Sequence, residues 1–218
     1  MTTVAQLWKR LDSLLLEKAA PMYSLLSPPA HLADIDALER ELQVTLPGDV
    51  RESYLCHGGQ HFTDWNTPSF FAAHHWHNLE RMREDWNWLS AFREERIQAD
   101  GNADMWVQDD DSVGAGQKVR FDFWNPKWVP IAKNSTGTRL FVDLAPGPAG
   151  TAGQLVMWEP EGTDARSVVA SGLTEHLVVM AEALERGWLQ LSENRWWDAL
   201  HNSVLWAEWP RETVCTRQ

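Results

Sequence analysis

FWNPKWVPIAKNSTGTRLFVDLAPGPAGTAGQLVMW, residues 123–158, is the stretch whose reading decides the fold. β-Branched and aromatic runs alternate in it with Gly and Pro, which predicts three short strands joined by turns. Trp128 to Ile131 form the first strand, and Asn134 to Gly137 supply small polar residues and a glycine able to take positive φ in the turn. Leu140, Val142 and Leu144 fall on one face of the second strand, with Phe141 and Asp143 on the other. Pro146-Gly147-Pro148 stops that strand, and Gly153 to Trp158 make the third. The unit is an antiparallel meander, so the fold class is α+β, with helices mainly on one face of the sheet and at its ends.

Outward from this stretch the periodicity is helical. Val4, Leu7, Trp8, Leu11, Leu14 and Leu15 predict an amphipathic helix over 3–18, closed by Pro21. Ile35, Leu38 and Leu42 mark a second helix, with Asp34 and Asp36 near its positive end. Pro47 is expected in the first turn of a third, which Gly58-Gly59 ends. Phe70 to Trp76 read as a strand. Asn78 then opens a long helix carrying Leu79, Met82, Trp86, Leu89 and Phe92, and a loop begins at Gln98. Ser171 is expected to cap a closing helix through Leu173, Leu177, Met180 and Leu184, which Gly187 ends. The tail from Trp188 through Trp196, Trp197, Trp206 and Trp209 is too apolar to stay in water, so it folds back or meets a partner.

The block 125–158, together with IDALERELQVTLPGDVRESYLCHGGQ at 35–60, resembles the core signature of the fungal cell-wall assembly regulators of the Smi/Knr type, in the SUKH superfamily. The resemblance covers about residues 30–187. It leaves the helix 3–18 and a Trp-rich extension 188–218 outside the core of what we read as one domain, 1–218. Leu46, Pro47, Gly58, Trp128, Pro130, Gly137, Asp143 and Gly153 stand in the matching motifs, where structural roles are expected. The resemblance implies a binding role without catalysis. Bacterial relatives are associated with toxin systems as immunity proteins, and fungal members act as cell-wall and signalling scaffolds. Because long disordered arms are missing here, the reading favoured is an immunity protein that neutralises a cognate toxin. The alternatives are a regulatory scaffold for wall synthesis and, behind it, a metal-dependent hydrolase.

At 218 residues, 44% hydrophobic and 23% charged, the chain can bury a full core. Its 19 basic and 31 acidic residues leave a net charge of −12, which disfavours nucleic acid and anionic membranes and suits a basic protein partner. Two distant cysteines, Cys56 and Cys215, argue for a reducing, cytoplasmic setting. The N-terminus lacks the pattern of a signal peptide, and no apolar run is long enough to span a membrane.

Catalytic patterns are weak. His74, His75 and His77, with His57, His61 and Asp64, could bind zinc, but only His75 and His77 share a strand face and no HExxH helix supplies a base. Cys56 and His57 are adjacent on a helix and diverge, and no nucleophile elbow or calcium-loop spacing is present. No cofactor, metal or catalytic residue is therefore expected. His57, Gln60 and His61 remain candidates to line a pocket. The candidate partner surface is Asp104, Trp106, Asp109, Asp110 and Asp111, where clustered carboxylates steer a cationic partner and a tryptophan anchors it.

Overall fold

The computed structural model describes residues 3–64, 66–101, 107–159 and 166–199, and the backbone of 203–204. Helices α1 (Val4–Lys18), α2 (Ala20–Tyr23), α3 (Leu32–Leu42) and α4 (Gly48–Cys56) precede the short strand β1 (His75–Trp76) and the long helix α5 (Leu79–Asp100). A 3-10 turn at Asp110–Ser112 leads to β2 (Trp128–Lys133), β3 (Arg139–Asp143), β4 (Gln154–Trp158) and β5 (Arg166–Ala170). Helix α6 (Leu173–Glu185) follows, then β6 (Leu189–Ser192), β7 (Arg195–Asp198) and β8 (Ser203–Val204). The main sheet is the antiparallel meander β1-β2-β3-β4-β5, and β6-β7-β8 form a second small sheet.

Alternation along the strands divides the core in two. Val129, Leu140, Val142 and Leu155 face a large cluster built with α1, α3, α4 and α6. Trp128, Phe141, Val156 and Trp158 face a smaller aromatic cluster, closed by Leu89 of α5 and by Val119 and Trp124 of the segment before β2. Most of the helices thus gather on one face, as expected, while the other is sealed by aromatic rings and by α5. Trp124 meets Trp128 edge-on at 5.8 Å, and Trp128 stacks on Phe141 at 4.5 Å. Pro130 lies in the register of β2 at a bulge between Pro130 and Ala132, where a missing N–H is tolerated.

The segments flanking the meander are part of the same core. Trp8 of α1 is 1% exposed and stacks on Trp76 at 5.3 Å, while Trp196 of β7, equally buried, donates its indole N–H to the Ser69 carbonyl at 2.6 Å. Lys18 Nζ reaches the Leu184 carbonyl at the end of α6, and Arg10 pairs with Glu185. The described part of the Trp-rich tail therefore folds back.

Four boundaries differ from the sequence reading. Only His75–Trp76 of the predicted strand 70–76 pairs in the sheet, because the Gln60 carboxamide takes the N–H groups of Phe70 and Trp76 and the chain turns between Phe71 and His74. Pro47 is the N-cap of α4 and not a residue of its first turn. Gly172, not Ser171, is the N-cap of α6. Ser171 instead donates its hydroxyl and backbone N–H to Glu175, and the orphan N–H of Thr174 goes to Asp49 Oδ2 of α4 at 2.9 Å. Helix α5 continues through Gln98 to Asp100 and ends where Gly101 takes φ +61.

Candidate functional site

The motif residues make separate structural contacts at the strands, turns and helix ends around the meander. Trp128 and Asp143 are opposite each other in the β2–β3 register, and the indole N–H donates to Asp143 Oδ1 at 3.0 Å. The Asp143 carboxylate also accepts the Ala145 N–H and the Gln154 side-chain amide, so a carboxyl with no exposed surface keeps three donors. Burial still pushes its pKa up, and the three hydrogen bonds oppose that shift. Gly153 sits at φ +91 with Pro47 above it, so close that an added Cβ would lie 3.1 Å from the proline ring. Gly58 packs on the Pro28 carbonyl, and the Leu46 N–H bonds the Glu39 carboxylate. Gly137 takes φ +89 in the β2–β3 turn, where the Asn134 side chain accepts the N–H groups of Thr136 and Thr138. These contacts hold the turns and both sheet faces in place.

The histidines are separate and sealed in. His74, His75 and His77 are only 2–3% exposed. Burial lowers the pKa of His74 to about 4, and His176 of α6, which packs on Phe71 at 5.3 Å, is lowered to about 4 for the same reason. His77 lies 3.6 Å from Asp85, beyond a hydrogen bond, so the contact is electrostatic. Burial would raise the Asp85 carboxyl, but His77 and the two-pronged contact from Arg139 outweigh it and hold the group well below the carboxylate range. Among the described residues no group of three or more His, Cys, Asp or Glu side chains is placed to hold a metal ion. His57, Gln60 and His61 do not converge on a pocket either. His57 bonds Asp12 and the Ser27 carbonyl, Gln60 is buried against the Phe70–Trp76 turn, and His61 is exposed.

The predicted partner surface is only partly described, since Asp104 and Trp106 lie outside the described residues. Asp109 caps its own turn by accepting the Asp111 N–H, and Asp110 pairs with Arg120 at 2.7 Å. Asp111 is exposed. Two of these three carboxylates thus have local partners that the spacing in sequence did not reveal. The structure adds an exposed tryptophan: Trp88, 56% exposed, stacks on the half-buried Phe92 at 5.4 Å, with Arg139 5.4 Å and Lys133 5.9 Å from its ring. The sequence reading placed Phe92 on the apolar stripe of α5 and did not single out Trp88, since helical spacing does not show which ring faces water.

A meander sheet with a large helical core on one face and an aromatic seal on the other is an α+β arrangement of the kind the SUKH resemblance implies. The sequence model of the SMI1 / KNR4 family (SUKH-1) matches residues 29–178, and the chain belongs to that family. It is 33% identical over 189 residues to the cell wall biosynthesis/cell cycle regulator smi1 of Schizosaccharomyces pombe, covering 85% of this chain and 37% of that protein. It is 29% identical over 211 residues to the glucan synthesis regulatory protein of Neurospora crassa, covering 84% and 39%. Identity to the cell wall assembly regulator SMI1 of Saccharomyces cerevisiae is 25% over 214 residues, covering 86% and 42%. The chain spans about two-fifths of the length of these relatives.

Proposed function

We propose that this chain is a non-catalytic, protein-binding module of a regulator of cell-wall synthesis. The observation that carries the reading is the extent of the likeness to the S. pombe regulator, 85% of this chain at 33% identity, against a family match confined to 29–178. A likeness of that extent takes in sequence beyond the family core, and the structure packs such sequence, in α1 and β6–β7, into the core itself. This moves the favoured role from toxin neutralisation to the wall-regulating scaffold. Of the polar groups the sequence offered for catalysis, His74, His75 and His77 are buried, which supports a role exercised through surfaces. A second reading, neutralisation of a basic toxin in the cytoplasm, rests on the net charge of −12 and the exposed Asp111.

The test replaces the matching segment of the N. crassa glucan synthesis regulatory protein by this chain in cells lacking that protein, and measures wall glucan. Restored glucan is expected. Failure to restore it by a chimera that accumulates in folded form overturns the regulator reading and leaves the toxin reading to be tried.

A further inference from the structure

We propose that the groove between α3 and the start of α5 docks a short basic segment of a protein partner, one that carries Lys or Arg beside an apolar side chain. The inference deepens the protein-binding role proposed above and rests on it.

The groove has a volume of about 470 Å³, within the range of roughly 300–1,000 Å³ that ligand sites occupy. Its apolar lining comes from Pro29 of the connector before α3, Ala37 and Leu38 of α3 and Leu79 of α5. Its rim is acidic. Asp34 and Glu41 lie on one stripe of α3, seven residues apart, and Glu80 stands on α5; all three are exposed. The one basic residue on the rim with a fixed charge, Arg83, stands 3.8 Å from Glu41, and both side chains are more than two-fifths exposed, so the pair is weak. The Asp34 and Glu80 carboxylates form no hydrogen bond or ion pair among the described residues.

The opposite side of α3 is built differently. There a wider groove of about 740 Å³ is lined by Asp36 and Glu39, but Arg51 engages both carboxylates, and Arg40 and Lys127 add positive charge. On one side the fold neutralises its own acids, and on the other it leaves them open beside an apolar lining. A cationic side chain laid along the rim would meet Asp34 and Glu80 without displacing an internal partner, while its apolar neighbour covered Ala37 and Leu79. The opposing account is that Asp34 and Glu80 only complement the positive ends of α3 and α5, since each lies in a first turn.

The experiment titrates the full chain, labelled with nitrogen-15, with an alternating Lys-Leu octapeptide and with its Glu-Leu counterpart. The expected result is that the basic peptide shifts the amide signals of Ala37, Gly58 and Leu79 and the acidic one does not. Asp34→Asn with Glu80→Gln should weaken binding at least tenfold, and Ala37→Trp, which fills the groove but leaves charge untouched, should weaken it as much. Asp109→Asn with Asp111→Asn removes the same charge elsewhere and should change affinity less than twofold. Equal losses from the two charge pairs, or shifts centred away from the groove, would overturn the proposal as non-specific attraction to an acidic chain. The titration decides the groove whether or not the chimera restores glucan, so the two readings fail independently.

Discussion

At the scale of single residues, Trp128 and Asp143 show how one buried polar contact joins two strands. The Trp128 ring is fully buried among Trp124, Phe141 and Trp158, so Trp128→Ala should cost about 3–5 kcal/mol, read as a lower denaturant midpoint at unchanged slope. Full retention of stability would move Trp128 out of the core. The buried histidines predict a pH dependence. His74 and His176 stay neutral in the fold down to about pH 4, whereas a histidine in the unfolded chain protonates near about 6.5. Between those values the unfolded chain binds more protons, so stability should fall as pH drops from about 6.5 towards 4, by roughly 3 kcal/mol per histidine. Asp85, held low, adds stability that is lost only below the ordinary carboxylate range, so it does not act in this window. Thermal unfolding of His176→Leu should show a flatter slope between pH 7 and 4.5, and an unchanged slope would assign the acid lability elsewhere.

At the scale of elements, long-range polar contacts finish what local sequence leaves open. Asp49 of α4 supplies the N-terminal cap of α6 from 125 residues away. Asp49→Ala should therefore cost about 1 kcal/mol and speed hydrogen exchange at the Thr174 amide, with exchange in α3 unaffected. Gly59 carries a stronger constraint: it takes φ +101, and a Cβ there would lie 2.5 Å from the His77 carbonyl, which is main chain and cannot swing aside. Gly59→Ala should destabilise by well over 1 kcal/mol, whereas Gly137→Ala, equally strained at φ +89 but with no atom within 4 Å, should cost less. Equal losses in the two variants would mean that φ alone sets the penalty.

At the scale of the molecule, charge and shape divide the labour. Changing Asp109, Asp110 and Asp111 together to Asn should leave the melting temperature within a few degrees, because the Asp110–Arg120 pair is exposed on the aspartate side. If the acidic turn docks a partner, the same variant should slow association most at low salt. An association rate that ignores both the substitution and the salt would remove the turn from the docking surface. How much of this was legible beforehand depends on the range of the interactions. The alternation Leu140, Val142 against Phe141, Asp143 determined the two faces of the sheet, and the spacing Val4, Leu7, Trp8, Leu11 determined a helix with a buried stripe, because both depend only on near neighbours along the chain. The glycines at 58, 137 and 153 and the family signature were readable for the same reason. The partner that a polar group finds was not. That Gln60 would end the strand before His75, that Asp49 would cap α6, that Arg51 would neutralise Asp36 and Glu39, and that Asp34 and Glu80 would be left open on a groove were decided only when distant segments packed. Buried donors and acceptors must be satisfied by whatever the tertiary structure brings near, and sequence distance carries no information about that.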